Sequence, residues 1–369
     1  MHRFLRLYNL LTMQSKFLVK YLTITLLVFN LSLFAQHDTH EAENGERDLK
    51  SEIKADIQHH LLDSHDFTFF SDSETGKSYG FPLPVILWDN GLHFFSSSKF
   101  NHGKSVAENN GNYYKLYHNK IYRTDAAGTI ELDDHQHPTN IKPIDFSITK
   151  SVVMIIVTGV LMLLLFGGLA RSFGKSPIAK GAGRFFEPII VYIRDDIAKP
   201  NIGDPQYKKF MPYLLTIFFF VWFLNLFGLT PLGVNVTGNI AITFALALLT
   251  FVITQFSGNK NYWKHIFWMP GVPVPMKIIL APIELLGVLI KPFALMIRLY
   301  ANIMAGHVVL MSIIGLMFFF KNWMGSGMTF MLAFALSLLE LLVAALQAYI
   351  FTMLSALYFG FAVEQHDEH

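Results

Sequence analysis

Residues 278–320 read "IILAPIELLGVLIKPFALMIRLYANIMAGHVVLMSIIGLMFFF" and contain almost no signal for a turn. As one continuous helix, the stretch would be roughly 65 Å long at about 1.5 Å per residue. The hydrocarbon core of a bilayer is only about 30 Å thick. Two upright helices would need a turn inside "RLYANIMAG", which has no proline and a single glycine. The stretch therefore predicts one strongly tilted helix, with Pro282 and Pro292 as points of bending.

The last apolar stretch, residues 328–361, raises the same question of length. It is again too long for one upright span and too uniformly apolar to contain an obvious turn. The segment "KNWMGSG" at residues 321–327 separates the two stretches. Two long, tilted, antiparallel helices are the predicted arrangement, because ordinary tilt would not accommodate their length.

The composition of the whole chain is that of a membrane protein. Hydrophobic residues make up 52% of the 369 residues, the mean hydropathy is +0.38, and charged residues make up 15%. A soluble protein carries about a quarter charged residues. The chain contains no cysteine, which excludes disulfides, thiolate metal sites and cysteine nucleophiles. No basic block suggests a nucleic-acid partner, and the net charge is only +2.

Three further apolar runs, residues 151–170, 210–233 and 240–256, have the length of membrane spans. A cation-rich segment follows the first run and marks the cytoplasmic side. Its cations are Arg171, Lys175, Lys180, Arg184, Arg194, Lys199, Lys208 and Lys209. Within it, residues 184–199 are amphipathic and predict a helix on the membrane surface. The predicted fold is all-α and polytopic, with about five membrane helices and a small β-rich N-terminal region outside the cytoplasm.

The first 35 residues are expected to be a cleaved signal peptide. A basic start precedes the apolar run "YLTITLLVFNLSLFA", which is short for a span and is followed by polar residues. An uncleaved N-terminal anchor is the alternative. Met13 could equally be the first residue instead of Met1.

Residues 36–148 differ in kind and are interpreted as a polar, β-rich extracytoplasmic region that precedes a membrane domain at residues 149–369. Aromatic and β-branched runs at residues 78–100 and 112–134 are broken by Asp-Asn-Gly and Ala-Ala-Gly, which predicts short strands and hairpins. The region also holds histidines that raise the possibility of zinc binding. They are His37, His40, His59, His60, His135 and His137. Their spacing matches no closed metal motif, so a solvated linker is favoured and no metal is expected.

Polar residues form one stripe on the helix predicted for residues 278–320. Glu284, Lys291, Arg298 and Ala305 repeat every seven residues, and Asn302 lies at the edge of the stripe. Arg298 lies too near the middle of the helix to reach the headgroups. A charge there costs between about 3 and 10 kcal/mol. Glu284 is about 21 Å away along the axis, too far to pair. Arg298 is therefore predicted to be functional.

Three more polar residues occur in the two long helices. His307 lies nine residues after Arg298, which turns it to the opposite side of the helix at a rise of about 13 Å. Glu340 and Gln347 are seven residues apart and share a face of the last helix. Ionisable residues within membrane helices usually mark a path for ions or protons.

These residues carry a resemblance to a known family. "RLYANIMAG", with Arg298, Leu299, Asn302, Ala305 and Gly306, and "LQAYIF", with Gln347, resemble the signatures of the a subunit of F-type ATP synthases. "FLNLFGLTP" is similar to the second span of that family. The resemblance covers the chain from about residue 151 to its C-terminus. The region at residues 36–148 has no counterpart in the short N-terminus usual for the family.

The resemblance implies a non-catalytic stator subunit without cofactor in a bacterial inner membrane. Its partners would be protons, the lipid bilayer, the rotor ring of c subunits, the peripheral-stalk b subunits and the rest of the complex. Arg298 would face a ring carboxylate, with Asn302 and Gln347 beside it. His307 and Glu340 would form a polar pair in the proton inlet, and Glu284 would lie toward the cytoplasmic outlet. Residues 36–148 would be periplasmic and the C-terminus cytoplasmic.

Three alternatives were weighed against this interpretation. A secondary transporter would show an internal repeat with paired broken helices, which the sequence lacks. An intramembrane protease would need His-Glu-x-x-His, or a serine nucleophile with a partner histidine, and neither occurs in the spans. A sodium-driven version of the same motor remains open, because the groups that select the ion lie mainly on the ring.

Overall fold

The computed structural model describes residues 63–71, 78–101, 103–133, 137–173, 183–230, 234–269, 272–319 and 323–364. All of them belong to one compact unit that runs from residue 56 to residue 369. The expected signal segment and five of the six histidines considered for zinc lie outside the described residues. The sixth, His137, lies 3.6 Å from the carboxylate of Asp133. No group of three metal-ligating side chains occurs in the described part of the chain.

Eight helices follow the strands within the described ranges. The long ones are α1 (Lys150–Phe173), α4 (Tyr207–Gly228), α5 (Ile240–Ser257), α7 (Val274–Phe319) and α8 (Trp323–Val363). The short ones are α2 (Gly183–Tyr192), α3 (Lys199–Ile202) and α6 (Lys260–Phe267). The five long helices are apolar enough to cross a membrane. The predicted all-α polytopic fold is thus confirmed, whereas α6 was not predicted.

The two long helices are undivided, as predicted. α7 has 46 residues and α8 has 41. At about 1.5 Å per residue they are roughly 69 and 62 Å long, about twice the thickness of the hydrocarbon core. α8 begins at Trp323, so the predicted linker was too long. Gly325 and Gly327 lie inside the helix, because a glycine costs a helix only about 1 kcal/mol and does not by itself end it.

The core of the membrane domain lies around α4. Leu214, Phe219 and Val221 on this helix are buried. α8 packs against α4 through stacked rings of Phe210 and Phe359, whose centroids are 4.6 Å apart. On its other sides, α8 contacts α7, and α7 contacts α5. α1 packs against α4, away from the α7–α8 pair.

The predicted amphipathic helix corresponds to α2, which continues through a π-helical turn, Ile193–Ala198, into α3. Ile193 and Ile197 are buried in the core. Asp195 accepts hydrogen bonds from Arg194 at 2.7 Å and Lys199 at 2.6 Å. These bonds hold the pKa of Asp195 well below its usual range. The polar side of this segment therefore carries an ion network and its apolar side faces the bundle.

Eight short strands precede α1 in the described ranges. They are β1 (Asp66–Ser71), β2 (Ser78–Pro82), β3 (Pro84–Trp88), β4 (Leu92–Ser96), β5 (Ala107–Asn109), β6 (Asn112–Tyr117), β7 (Lys120–Thr124) and β8 (Ile144–Asp145). They form three small antiparallel sheets with the orders β1-β2, β4-β3-β8 and β5-β6-β7. The predicted β-rich region is confirmed as a part of the fold.

Only one of the two turn signals marks a hairpin. Asp-Asn-Gly joins β3 to β4, and Asn90 there has a φ of 53°. The hairpin of β6 and β7 turns at His118 and Asn119, with φ of 47° and 57°, and Ala-Ala-Gly follows β7 instead. A two-residue hairpin loop needs positive φ at both positions, which asparagine tolerates well.

The strand region is tied to the start of α1. Asp63 accepts hydrogen bonds from the Thr149 hydroxyl at 2.8 Å and from the Ser151 N–H at 3.2 Å. His65 Nε2 lies 2.8 Å from Asp145 Oδ2. Burial raises the pKa of Asp145, but hydrogen bonds with His65 and Ser147 outweigh burial and lower it. These bonds fix the strands at the end of the bundle where α1 begins.

Candidate functional site

Arg298 lies in the middle of α7 with its side chain exposed. Within the described residues it makes no hydrogen bond or ion pair, so no carboxylate in this part of the chain neutralises it. Ala294, Ala301 and Ala305, which lie on the same face of the helix, are also exposed. A guanidinium thus stands on a surface of small side chains that a partner helix could approach closely.

Asn302 and Gln347 connect α7 to α8 beside Arg298. Asn302 Nδ2 donates to Gln347 Oε1 at 2.8 Å. Gln347 is only 1% exposed, and its Nε2 is buried with no hydrogen-bond partner in the described part of the chain. This bond brings together Asn302 and Gln347, the two residues expected beside Arg298.

His307 and Glu340 meet between α7 and α8. His307 Nδ1 lies 3.6 Å from Glu340 Oε1, and the two residues are only 6% and 5% exposed. Neither carboxylate oxygen of Glu340 has a hydrogen-bond partner within the described ranges. A separation of 3.6 Å exceeds a direct hydrogen bond and suits an exchange of protons through a water molecule. The structure therefore brings together two residues that lie 33 positions apart in sequence.

Two glycines leave room for this pair. A Cβ on Gly306 would lie 3.0 Å from Glu340 Oε1, and a Cβ on Gly228, at the end of α4, would lie 3.3 Å from His307 Nε2. The Cβ position of Gly228 is also 3.6 Å from the carbonyl oxygen of Val234. Any side chain at either glycine would crowd the polar atoms of this pair.

Replacing Gly306 by alanine is expected to slow proton transfer through this pair. The added methyl group would push the Glu340 carboxylate away from His307, because 3.0 Å is too short for a contact with carbon. The rate of ATP-driven acidification of membrane vesicles containing the assembled complex measures the effect, and a several-fold decrease is expected. Gly159→Ala is the matched control, since nothing lies within 4 Å of a Cβ there. Equal rates for both variants would contradict this role of Gly306.

Glu284 lies apart from both pairs, near the other end of α7. Fourteen residues separate it from Arg298, or roughly 21 Å along the helix. It is close enough to Lys291 for an electrostatic interaction. The Lys291 ammonium lies over the rings of Tyr358, at 5.7 Å, and Phe361, at 5.6 Å. Arg298 thus stands between two separate groups of titratable side chains.

Some polar residues near His307 were missed in the sequence. Asn225 on α4 is buried, and its Oδ1 accepts a hydrogen bond from the Thr237 hydroxyl at 2.7 Å. Its Nδ2 donates to the carbonyl oxygen of Ala344, one turn after Glu340 on α8. The signal was an asparagine within the apolar run "FLNLFG", but its hydrogen bond to α8 appears only in three dimensions.

Comparison with known proteins gives two family matches. The family model described as ATP synthase A chain matches residues 152–360, which is more than half of the chain. A second model, Domain of unknown function (DUF8433), matches residues 56–146. The second match covers the strands and leaves their role open.

Three relatives illustrate the similarity. "ATP synthase subunit a 2" of Chlorobaculum tepidum is 44% identical over 234 residues, which cover 61% of this chain and 66% of the relative. "ATP synthase subunit a" of Chloroherpeton thalassium is 43% identical over 233 residues, which cover 61% of this chain and 69% of the relative. "ATP synthase subunit a 2" of Prosthecochloris aestuarii is 35% identical over 316 residues, which cover 81% of this chain and 96% of the relative.

The extent of these matches differs along the chain. The chain spans about two thirds of the length of the first relative. With the Prosthecochloris protein the similarity covers 81% of the chain, more than residues 149–369 alone can provide, so it extends into the strand region. Because a family model matches most of its membrane part and relatives match at 35–44% identity, the chain belongs to the ATP synthase A chain family.

Proposed function

We propose that this chain is the stator subunit of the membrane sector of an ATP synthase. It forms two proton half-channels against a rotor ring and couples proton translocation to rotation, without catalysing a reaction itself. The observation that carries the proposal is Arg298, a permanent cation at the middle of an apolar helix with no partner in the described part of its own chain. Such a charge is tolerated only where it serves a partner or a water-filled path.

A ring of c subunits with membrane carboxylates suits the surface around Arg298. The exposed alanines on α7 allow close packing of a helix. α8 also carries exposed apolar residues, such as Leu342 and Leu346. A guanidinium stabilises the ionised form of a carboxylate beside it and so favours release of the proton. Arginine suits this role because it stays charged at any working pH.

Two separate groups of side chains support the two half-channels. His307 and Glu340 supply the inlet, with titratable groups 3.6 Å apart and space kept by Gly228 and Gly306. Glu284 supplies the outlet at the other end of α7. Arg298 lies between the two and repels a proton that would cross directly. Each proton that crosses 100 mV provides about 2.3 kcal/mol, which the ring transmits to ATP synthesis elsewhere in the complex.

The orientation in the membrane follows from charge. The cation-rich segment after α1 lies on the cytoplasmic side of a bacterial inner membrane. This orientation places residues 36–148, after a signal at residues 1–35, in the periplasm and the end of residues 149–369 in the cytoplasm. The inlet pair then opens toward the periplasm. The peripheral-stalk b subunits are the expected partners that hold this chain against the ring.

A cross-linking experiment tests the contact with the ring. The chain has no cysteine, so Ala301→Cys introduces a single thiol beside Arg298. In the assembled complex, with a cysteine in the membrane helix of the ring subunit, mild oxidation is expected to join the two subunits. Leu163→Cys on α1 is the matched control, because it is exposed but on a helix that packs on the far side of α4. Cross-linking of the control alone would contradict the proposed ring surface. ATP-driven acidification by an Arg298 variant tests the coupling itself.

A further inference from the structure

The strand region contacts the segment that connects α4 to α5. Phe67 on β1 and Leu83, just before β3, are 5% and 4% exposed and pack in one apolar cluster. The other members of the cluster are Met154, Leu224, Val234 and Val236. Residues 234–238 therefore pack against both the strand region and α4.

The same segment turns polar groups toward the inlet pair. Residues 234–238 are all buried, and they alternate between the valines in the apolar cluster and polar side chains. Thr237 donates its hydroxyl to Asn225 at 2.7 Å. The carbonyl oxygen of Val234 faces His307 Nε2 across the open position at Gly228. The segment thus has an apolar side against the strands and a polar side toward His307.

One buried amide indicates that water reaches this segment. Asn235 is 7% exposed, and its Oδ1 accepts a hydrogen bond from the N–H of Gly238 at 2.9 Å. Its Nδ2 is buried and has no hydrogen-bond partner among the residues that the structure describes. A buried amide donor without a protein partner is normally satisfied by a bound water molecule. Asn235, Thr237 and Asn225 together can order water along this segment.

The strands themselves are held in place by bonds to the membrane domain. The N–H of Lys150 donates to the carbonyl oxygen of Ser64 at 3.0 Å, next to the bonds of Asp63. The N–H of Leu83 donates to the Ser97 hydroxyl at 2.9 Å, and that hydroxyl donates to Asp66. Phe67 and Leu83 are thus attached to a rigid support that is anchored on α1.

We propose that the strand region is a brace for the inlet: by packing Phe67 and Leu83 on residues 234–238, it keeps a water-filled approach to His307 narrow. The proposal rests on the proposed function and extends it to a region whose family match assigns no role. The approach holds water molecules, and these carry the proton to His307. Loosening the brace would let the segment move, widen the approach for larger molecules and misplace its polar groups.

Thiol labelling tests the brace without requiring rotation. Asn235→Cys places a single thiol in this chain, and the complex is treated from the strand side with silver ion or with a bulky, membrane-impermeant maleimide. We expect silver to react with Asn235→Cys and the maleimide to react slowly. Adding Phe67→Ala and Leu83→Ala is expected to raise the maleimide rate several-fold. In the background with Asn235 intact, the same two changes are expected to lower ATP-driven acidification several-fold.

Leu92→Ala with Phe94→Ala is the matched control, because both side chains belong to the strand region but are exposed. This control is expected to change neither measurement. If the double alanine variant fails to assemble, Phe67→Leu alone serves in its place, with the same expected increase in the maleimide rate. An unchanged maleimide rate in an assembled brace variant overturns the proposal, as does a thiol at residue 235 that silver does not reach. Because labelling is measured without ATP, these outcomes are independent of whether Arg298 couples protons to rotation.

Discussion

Replacing Arg298 by alanine is expected to abolish ATP-driven acidification of membrane vesicles. In the proposed function, Arg298 is the permanent cation that favours the ionised form of a passing ring carboxylate and blocks direct passage of protons between the two half-channels. Alanine removes both effects without adding bulk. The measurement is the quenching of a pH-sensitive dye in inverted vesicles after addition of ATP, with assembly of the complex checked in the same membranes.

Two further variants make the Arg298 result specific. Arg298→Lys is expected to restore little of the activity, because a compact ammonium is more strongly hydrated and loses its charge more readily in an apolar site. Lys260→Ala, which removes a cation from the exposed start of α6, is expected to pump normally. Acidification at the full rate by an assembled Arg298→Ala complex would refute the stator assignment.

Replacing Glu340 by glutamine is expected to reduce ATP-driven acidification by roughly 100-fold or more, because a positioned proton-transferring group typically contributes about 10²- to 10⁴-fold to a rate. Glutamine keeps the shape of the side chain but cannot bind and release a proton. His307 would then face a neutral amide at the same distance. Ser337→Ala is the matched control one turn earlier on α8, because the Ser337 hydroxyl only bonds to the backbone of its own helix.

An exchange of the two residues tests whether they act as a pair. His307→Glu with Glu340→His keeps one imidazole and one carboxylate in the same buried gap. We expect the double variant to pump faster than either single change, because the interaction is restored even though each residue has moved. A double variant no better than the worse of the two single changes would show that the positions act separately.

The long helices could be predicted from the sequence because their length is a matter of simple arithmetic. A run of apolar residues without a turn signal at residues 278–320 left no other solution, and α7 is one helix. The isolation of Arg298 was also predictable, since periodicity placed no carboxylate of its own helix within reach. Both inferences use only distances along a single helix, and these distances can be calculated from the sequence.

Contacts between helices could not be obtained in this way. Periodicity placed His307 and Glu340 on their own helices, but only the family resemblance paired them. The roles of Gly228 and Gly306 depend on how α4, α7 and α8 approach one another, which no single-helix pattern contains. The early start of α8 was missed because Gly325 and Gly327 resemble a turn in sequence, although neighbouring residues keep them helical.

The unpaired guanidinium of Arg298 also bears on how the complex is built. A newly inserted copy without its ring would expose this charge to lipid, at a cost of between about 3 and 10 kcal/mol. Docking of a carboxylate-bearing neighbour removes that cost. Orphan copies are therefore expected to be short-lived in the cell, with quality-control proteases clearing those that find no rotor.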